Sequence, residues 1–413
     1  MIKENTLILG QDQYYSLDSY ETKLNNNVLV VGTSGAGKTR SIVIPNLLQA
    51  NGSYILSDPK GNLYNKYKDY LTRRGYVVKK LDFTDPKHSV QYNFFRYIKG
   101  TQDIVKVAHM LIYQRKERGT MDPFWDQAAQ LLVQSLIAYL IEDMRPEDQT
   151  LHSLMKLVCA CEIEEASPEK MNKVDYLMRD LELHNKNSYA VNTYKKFRVA
   201  AGRTMKSILI TVNAHLGLFD TPELNKMMAE DEIDIPSIGT QKTALFVVVS
   251  DTDRSLDGLV NIFFTQAMNE LCNYADRACE DNRLPVPVRF ILDDFATNCK
   301  IEEFPRMISS IRSRGISTML MIQAESQLTE NYGYDGRTII GNCDTYVYLG
   351  GNDVDTAKAV AERCDVPVKK VLNMPVGTNW IFRRGQSPIN GRNFELQSFL
   401  EESIPELNET RER

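Results

Sequence analysis

The segment Gly32-Thr33-Ser34-Gly35-Ala36-Gly37-Lys38-Thr39 constrains this chain more than any other. It has the spacing G-x4-G-K-T. It follows Val28-Leu29-Val30-Val31, a short apolar run of strand type, and precedes a helix-like stretch that reaches Leu48. A phosphate-binding loop needs that context. Its glycines let successive backbone N–H groups turn toward one point, and the N-terminus of the next helix adds partial positive charge. Gly32, Thr33, Ser34, Gly35, Ala36, Gly37, Lys38 and Thr39 are therefore candidates for holding the phosphates of ATP. Within them, Lys38 is expected to reach the β- and γ-phosphates and Thr39 to hold Mg2+.

The remaining pattern predicts an α/β fold with a mainly parallel sheet. Short apolar strands are expected at 54–56, 76–81, 244–250, 288–293, 318–323, 345–349 and 380–383, with helices at 256–280, 302–314 and 354–364. Between 101 and 235 the periodicity becomes helical. Phe124, Ala128, Leu131, Leu132, Leu136 and Leu140 form a stripe that reads as core, and Pro123 suits a first helical turn. That span holds 16 Lys and Arg against 21 Asp and Glu, so it carries the whole formal charge of −5. The expected organisation is a nucleotide-binding domain made of 1–100 and 236–413, with an all-α insert at 101–235. A length of 413 residues suits two domains.

Charge and hydropathy narrow the function. A net charge of −5 gives no general affinity for nucleic acid. No apolar run approaches the roughly 18 residues of a membrane-spanning helix. Seven scattered cysteines point to a reducing compartment, and Cys159 with Cys161 has no second pair at metal-binding spacing.

A phosphate loop works with an acid from a neighbouring strand. Asp58, in Asp58-Pro59-Lys60-Gly61, matches the Asp-x-x-Gly of GTPases, and Asn172-Lys173-Val174-Asp175 matches their guanine-reading tetrapeptide. Context argues against that reading. About 20 residues separate Lys38 from Asp58, too few for a switch loop, and Asn172 follows a charged stretch where a buried strand is needed. The better pair ends the strand Arg289-Phe290-Ile291-Leu292-Asp293-Asp294. Asp293 would bind Mg2+-bound water and Asp294 would polarise the attacking water. The long sequence between Lys38 and Asp293 allows an extra strand between theirs, as in motor ATPases.

With these residues in place the chain resembles the TraG/TraD-type coupling proteins of type IV secretion and conjugation. The resemblance runs from about Leu24 to Glu395. It rests on the loop, Ile44-Pro45-Asn46-Leu47-Leu48, the run from Ser57 to Tyr64, Phe124-Trp125, Arg312-Ser313-Arg314-Gly315-Ile316, Gln323, and Gly341-Asn342-Cys343-Asp344. It implies a RecA-like motor domain carrying an all-α domain, in a hexameric ring that hydrolyses ATP with Mg2+. It also implies a position at the inner face of the cell membrane, where such rings receive relaxase–DNA complexes or other secreted substrates and pass them to channel proteins. By the same resemblance Arg312 completes a neighbour's ATP site and Gln323 senses the γ-phosphate. The chain departs from the family at Asp294, where Glu is usual. It departs again in the 31 residues before Gly32, none of which could span a bilayer although members usually carry membrane helices there. The acidic insert suits protein docking more than DNA. DNA contacts would come from a ring lumen and basic runs such as Lys195-Lys196-Phe197-Arg198. Two other readings compete: a nucleotide-binding substrate receptor with little ATPase activity, and a DNA pump of the FtsK or HerA kind, against which the helical insert speaks.

Overall fold

The computed structural model describes residues 5–113, 123–162, 170–200, 202–295, 299–404 and 407. Eleven strands are present among them. β1 (Thr6–Gly10) and β2 (Gln13–Ser16) form an antiparallel hairpin. The other nine form one sheet: β3 (Val28–Val31), β4 (Ser53–Ser57), β5 (Val77–Asp82), β6 (Thr243–Val248), β7 (Val288–Leu292), β8 (Ile316–Ile322), β9 (Thr345–Tyr348), β10 (Thr378–Arg383) and β11 (Ile389–Arg392). Their order is β11-β10-β9-β3-β8-β7-β4-β6-β5. The pairs from β9 across to β6 are parallel, and β9-β10 and β10-β11 are antiparallel.

The expected mainly parallel sheet is therefore present, and β3, β4, β6 and β7 are buried at every position; β3 is wholly apolar, while β4 has Ser at both ends and β7 holds Arg289. Val28 and Val30 of β3, Tyr54 and Leu56 of β4, and Val347 of β9 share one core. It is completed by Ile42 to Leu48 after the loop and by Leu63, Tyr67, Tyr70 and Leu71 of the helix Asn62–Arg73.

By packing, the chain forms two compact units. One contains Met1–Lys80, Asp234–Asp251 and Ala267–Arg413, and the other Leu81–Ile233 and Thr252–Gln266. Segments 81–100 and 252–266 thus group with the helices. The aromatic rings explain this: Tyr92 meets Phe263 edge-on at 5.2 Å, and Phe94 stacks on Phe95 at 4.5 Å, all four fully buried.

In the second unit the helix Pro123–Asp143 packs against helices Thr101–Ile112, Leu151–Ala160, Tyr189–Arg198 and Gly202–Leu216. Its expected one-sided stripe holds at Leu132, Leu136 and Leu140, but every residue from Leu132 to Leu140 is buried and Phe124 is 46% exposed. A helix surrounded by partners loses its polar face. The helix expected over 302–314 is only Phe304–Met307, after which Ser309, Ser310 and Ser313 turn their hydroxyls back to main-chain carbonyls.

Candidate nucleotide-binding site

The loop after β3 is seated on its neighbours. Gly32 N donates to Ile322 O at the end of β8 (3.1 Å), and Thr33 N to Gly350 O just beyond β9 (3.0 Å). Gly35 and Gly37 have φ of 78° and 92°, a backbone that L side chains rarely adopt, which is why the spacing of the motif is fixed. Lys38 is 8% exposed, and its Nζ donates to Gly32 O (2.8 Å) and Thr33 O (3.4 Å). The amine therefore lies folded back over the loop that carries it.

The following helix opens with a wide turn, Thr39–Val43, and continues as Ile44–Leu48. Asn46, 2% exposed, ties it to the N-terminal hairpin. Its Oδ1 accepts from Ile8 N, and its Nδ2 donates to Ile8 O and Ile42 O, at 2.9, 2.7 and 2.7 Å. A buried amide with these bonds used explains an Asn inside Ile44-Pro45-Asn46-Leu47-Leu48.

Asp293 follows β7 and meets the loop. Thr39 Oγ1 donates to its Oδ2 at 2.6 Å, and Asp294 N donates to its Oδ1 at 3.1 Å. Its main chain is pinned to the end of β4 by Ser57, whose Oγ accepts from Asp293 N (2.7 Å) and donates to Asp293 O (3.0 Å). Burial pushes the Asp293 carboxyl above its ordinary range. The Thr39 hydroxyl opposes that shift, the Asp294 charge adds to it, and Lys38 opposes it more weakly.

β8 lies between β3 and β7, so the extra strand allowed by the sequence exists. Gln323, just past β8, points its Nε2 at Asp294 Oδ1 (3.5 Å), while Gln323 N donates to Gln327 Oε1 (2.7 Å). Asp294 itself has φ 49°, in the left-handed region that Asp tolerates better than most residues.

Lys38, Thr39, Asp293, Asp294 and Gln323 are thus gathered at the C-terminal ends of the parallel strands. Arg312 is not among them. It precedes β8, at the other end of those strands, and its Nη2 donates to Ser19 O at 2.7 Å. Its neighbour Arg314 is held by Asp276 through two bonds, at 2.8 and 2.7 Å. The two GTPase-like matches have structural roles. Asp58, 2% exposed, accepts from Tyr64 N at 2.9 Å in the first turn of Asn62–Arg73 and is raised by burial. Asn172 caps the helix Lys173–His184 in a reciprocal capping box with Asp175.

Sequence reasoning missed Ser57, Gly350 and Asn393, whose Nδ2 donates to Ala36 O at 3.4 Å. Ser57 had a signal, a hydroxyl ending an otherwise apolar strand. Gly341-Asn342-Cys343-Asp344 proves structural: Asp344 accepts from Asn25 N at 2.6 Å and Arg384 Nε at 2.6 Å, fastening β9 to the segment before β3. No helix among the described residues is long and apolar enough to cross a membrane.

Known proteins resemble this chain in sequence and in fold. Protein VirD4 of Rhizobium radiobacter is 26% identical over 352 residues, covering 81% of this chain and 48% of its own. The conjugal transfer protein TraG of Escherichia coli is 23% identical over 370 residues, covering 81% of this chain and 54% of its own. The chain spans about half the length of the curated relatives it matches. Among solved structures, the unbound bacterial conjugative coupling protein TrwBdeltaN70 superposes with a TM-score of 0.65 at 17% identity, covering 90% of this chain and 84% of that one. TrwB in complex with the non-hydrolysable analogue ADPNP (TM-score 0.63, 18% identity, 90% and 85% covered) and TrwB with ADP and Mg2+ (0.60, 17%, 89% and 85%) match similarly. That likeness shows the fold, an α/β domain of the RecA-like P-loop kind. The model of the family "Type IV secretory system Conjugative DNA transfer" matches residues 2–365, and the chain belongs to that family.

Proposed function

We propose that this chain is the motor portion of a coupling protein for type IV secretion and conjugation. It binds ATP with Mg2+, assembles as a homo-oligomer, a hexamer, at the inner face of the cell membrane, and hydrolyses ATP there. It receives a relaxase–DNA complex or another secreted substrate and hands it to the channel proteins. The acidic helices within 101–235, part of the unit of Leu81–Ile233 and Thr252–Gln266, dock the protein part of that cargo.

The observation that carries this reading is the 2.6 Å bond from Thr39 Oγ1 to Asp293 Oδ2 beside Lys38, at the loop of a conjugative DNA transfer protein. The residues suit the ligand. Lys38 is a buried cation bonded only to carbonyls, and a phosphate would meet it better. Thr39 and Asp293 offer hard oxygens to a small divalent cation, whose charge would offset the buried carboxylate. Bound Mg2+ would supply charge neutralisation for the phosphates. Within the protein, the loop N–H groups and Lys38 would hold the β- and γ-phosphates, and Thr39 and Asp293 would hold the metal. Asp294 orients the attacking water and accepts its proton. Gln323, bonded to the same carboxylate, responds to the γ-phosphate. Arg312, remote from its own loop, serves the site of a neighbouring copy.

One feature favours the receptor reading as second choice: the short Asp294 carboxylate on a left-handed backbone, partly engaged by Gln323. Steady-state ATPase assays with and without DNA, alongside pull-down of a relaxase or channel ATPase, separate the two. Turnover that vanishes in Lys38→Ala, with cargo captured, supports the motor. Capture with no turnover in the wild type leaves the receptor.

A further inference from the structure

A second polar cavity, of about 270 Å3, lies at the end of the sheet away from the nucleotide loop, where β4, β7 and β8 begin. Asp18, Tyr54, Arg283, Arg289, Arg312 and Ser317 are on its wall. We propose that this cavity is an anion site that takes a phosphate group, held by the guanidiniums of Arg283, Arg289 and Arg312.

Arg289 carries the argument. It is 7% exposed on β7, in the middle of the sheet. Its Nε donates to Ser317 Oγ on β8 at 3.2 Å, and its other N–H groups have no acceptor among the described residues. No carboxylate pairs with it there. Tyr54 beside it cannot serve as counter-charge, because its one hydroxyl proton is shared between Asn46 O and Asn51 Oδ1 and burial raises its pKa, which keeps it neutral. An enclosed guanidinium with four idle N–H groups is costly to the fold until an anion meets it.

The other groups reinforce the sign. Arg283 lies over the Tyr20 ring, 5.6 Å from its centre, which holds it at the rim. Arg312 spends one nitrogen on Ser19 O. The one carboxylate on the wall, Asp18, has one oxygen engaged by main-chain N–H groups and also feels the Arg283 charge. Its Oδ1 accepts from Glu21 N and Tyr20 N, which together hold it below its ordinary range. Three cations thus face one acid. Planar guanidiniums arranged around a cavity suit a tetrahedral oxyanion with several acceptor oxygens.

The phosphate can be a free small-molecule phosphate or the terminal phosphate of a nucleotide on a second copy of this chain. Only the second source rests on the function proposed above. The test uses Lys38→Ala, so that the nucleotide loop does not report. Inorganic phosphate is titrated calorimetrically into that variant at a concentration where sedimentation shows monomer. One saturable site is expected, weakened tenfold or more by Arg289→Gln and by Arg283→Gln, the loss of about one charged hydrogen bond each. Arg283 is half-buried on a loop, so its variant remains informative if Arg289→Gln lowers the unfolding midpoint. No saturable binding, or binding that neither variant weakens, overturns the proposal. In a second arm, otherwise wild-type chains carrying Arg283→Gln are sedimented with a non-hydrolysable ATP analogue. Weaker self-association assigns the anion to the neighbour's nucleotide, and unchanged self-association with lost phosphate binding assigns it to a free phosphate. An absence of ATP hydrolysis would sink the motor reading and leave this site untouched.

Discussion

Asp293→Asn should stabilise the nucleotide-free protein while crippling the proposed metal site. Both carboxylate oxygens of Asp293 are acceptors, one for Thr39 Oγ1 and one for Asp294 N. Asn keeps both bonds, with its Oδ1 on Asp294 N and its Nδ2 donating to the Thr39 oxygen. What it removes is a charge in a site 7% exposed, next to the Asp294 charge and close enough to Asp58 to raise that carboxyl as well. Relief of this kind at functional sites is worth about 0.5–2 kcal/mol. Each kcal/mol moves the unfolding midpoint of a unit of this size by about 2–4 °C. The pH dependence fixes the cause. The folded state raises the Asp293 pKa above its ordinary 3.8, so the fold favours the protonated form. That contribution is complete below the ordinary value and is lost as pH rises through the folded value. The advantage of Asn should therefore be full at pH 7.5 and shrink as the buffer is taken down toward about pH 4. Mg2+-dependent nucleotide affinity should fall 10–100-fold, as for other carboxylates that act on a metal through its water. The assay is thermal unfolding with and without Mg2+ and an ATP analogue at several pH values. A variant less stable than wild type at pH 7.5, or one stabilised by Mg2+–nucleotide as much as wild type, would refute the reasoning.

Lys38→Ala should abolish hydrolysis and weaken ATP binding, because it deletes the point charge facing the β- and γ-phosphates; unchanged turnover would remove the loop from the mechanism. Arg312→Ala should bind ATP yet hydrolyse it about 10³–10⁵-fold more slowly, and mixing it with Lys38→Ala subunits should recover some activity, whereas a mixture that stays dead beside active monomeric wild type would discard the arginine. Asp294→Glu should raise turnover or leave it unchanged while costing about 1 kcal/mol of stability, since Glu visits the left-handed backbone less readily than Asp; loss of Mg2+–ATP binding would mean that the two acids have exchanged roles. Asp175→Ala should destabilise the helical unit by about 3–5 kcal/mol, because it strips the capping box and leaves Arg198 without the partner it meets at 3.0 Å, and a chemical-denaturation midpoint within error of wild type would deny that.

The phosphate loop, its acid and the central strands were legible because each is a short-range pattern. An apolar run names a buried strand, and G-x4-G-K-T needs only its flanks. The N-terminal hairpin was not legible. β1 is buried at four consecutive positions and β2 is half-buried at all four, so neither alternates, and the turn depends on Asp12 at φ 58°. The Asn46 clamp that seats it joins residues 38 apart. The helix expected at 302–314 failed because hydroxyls compete with the helical ladder, a cost that apolar spacing does not register. Arg312 was nearer to hand. In a parallel sheet, a residue just before β8 must lie at the opposite end from one just after β3, so its distance from Lys38 followed from strand direction alone. The role proposed for it in another subunit rests on family resemblance, and no pattern in a single chain supplies that.

β8 gives this molecule its mechanical character. Its seven residues extend about 23 Å, with Gln323 just past one end and Arg312 four residues before the other. Both of its flanks are hydrogen-bonded, to β3 and to β7, so it cannot slip past its neighbours without breaking two ladders together. In the proposed motor, a displacement at the Gln323 end would reach the Arg312 end as a tilt of the whole slab, the way a stiff plank passes a load from one support to the other. In the ring proposed above, stiffness along this one line, more than any hinge, would set how promptly one subunit learns what its neighbour has bound.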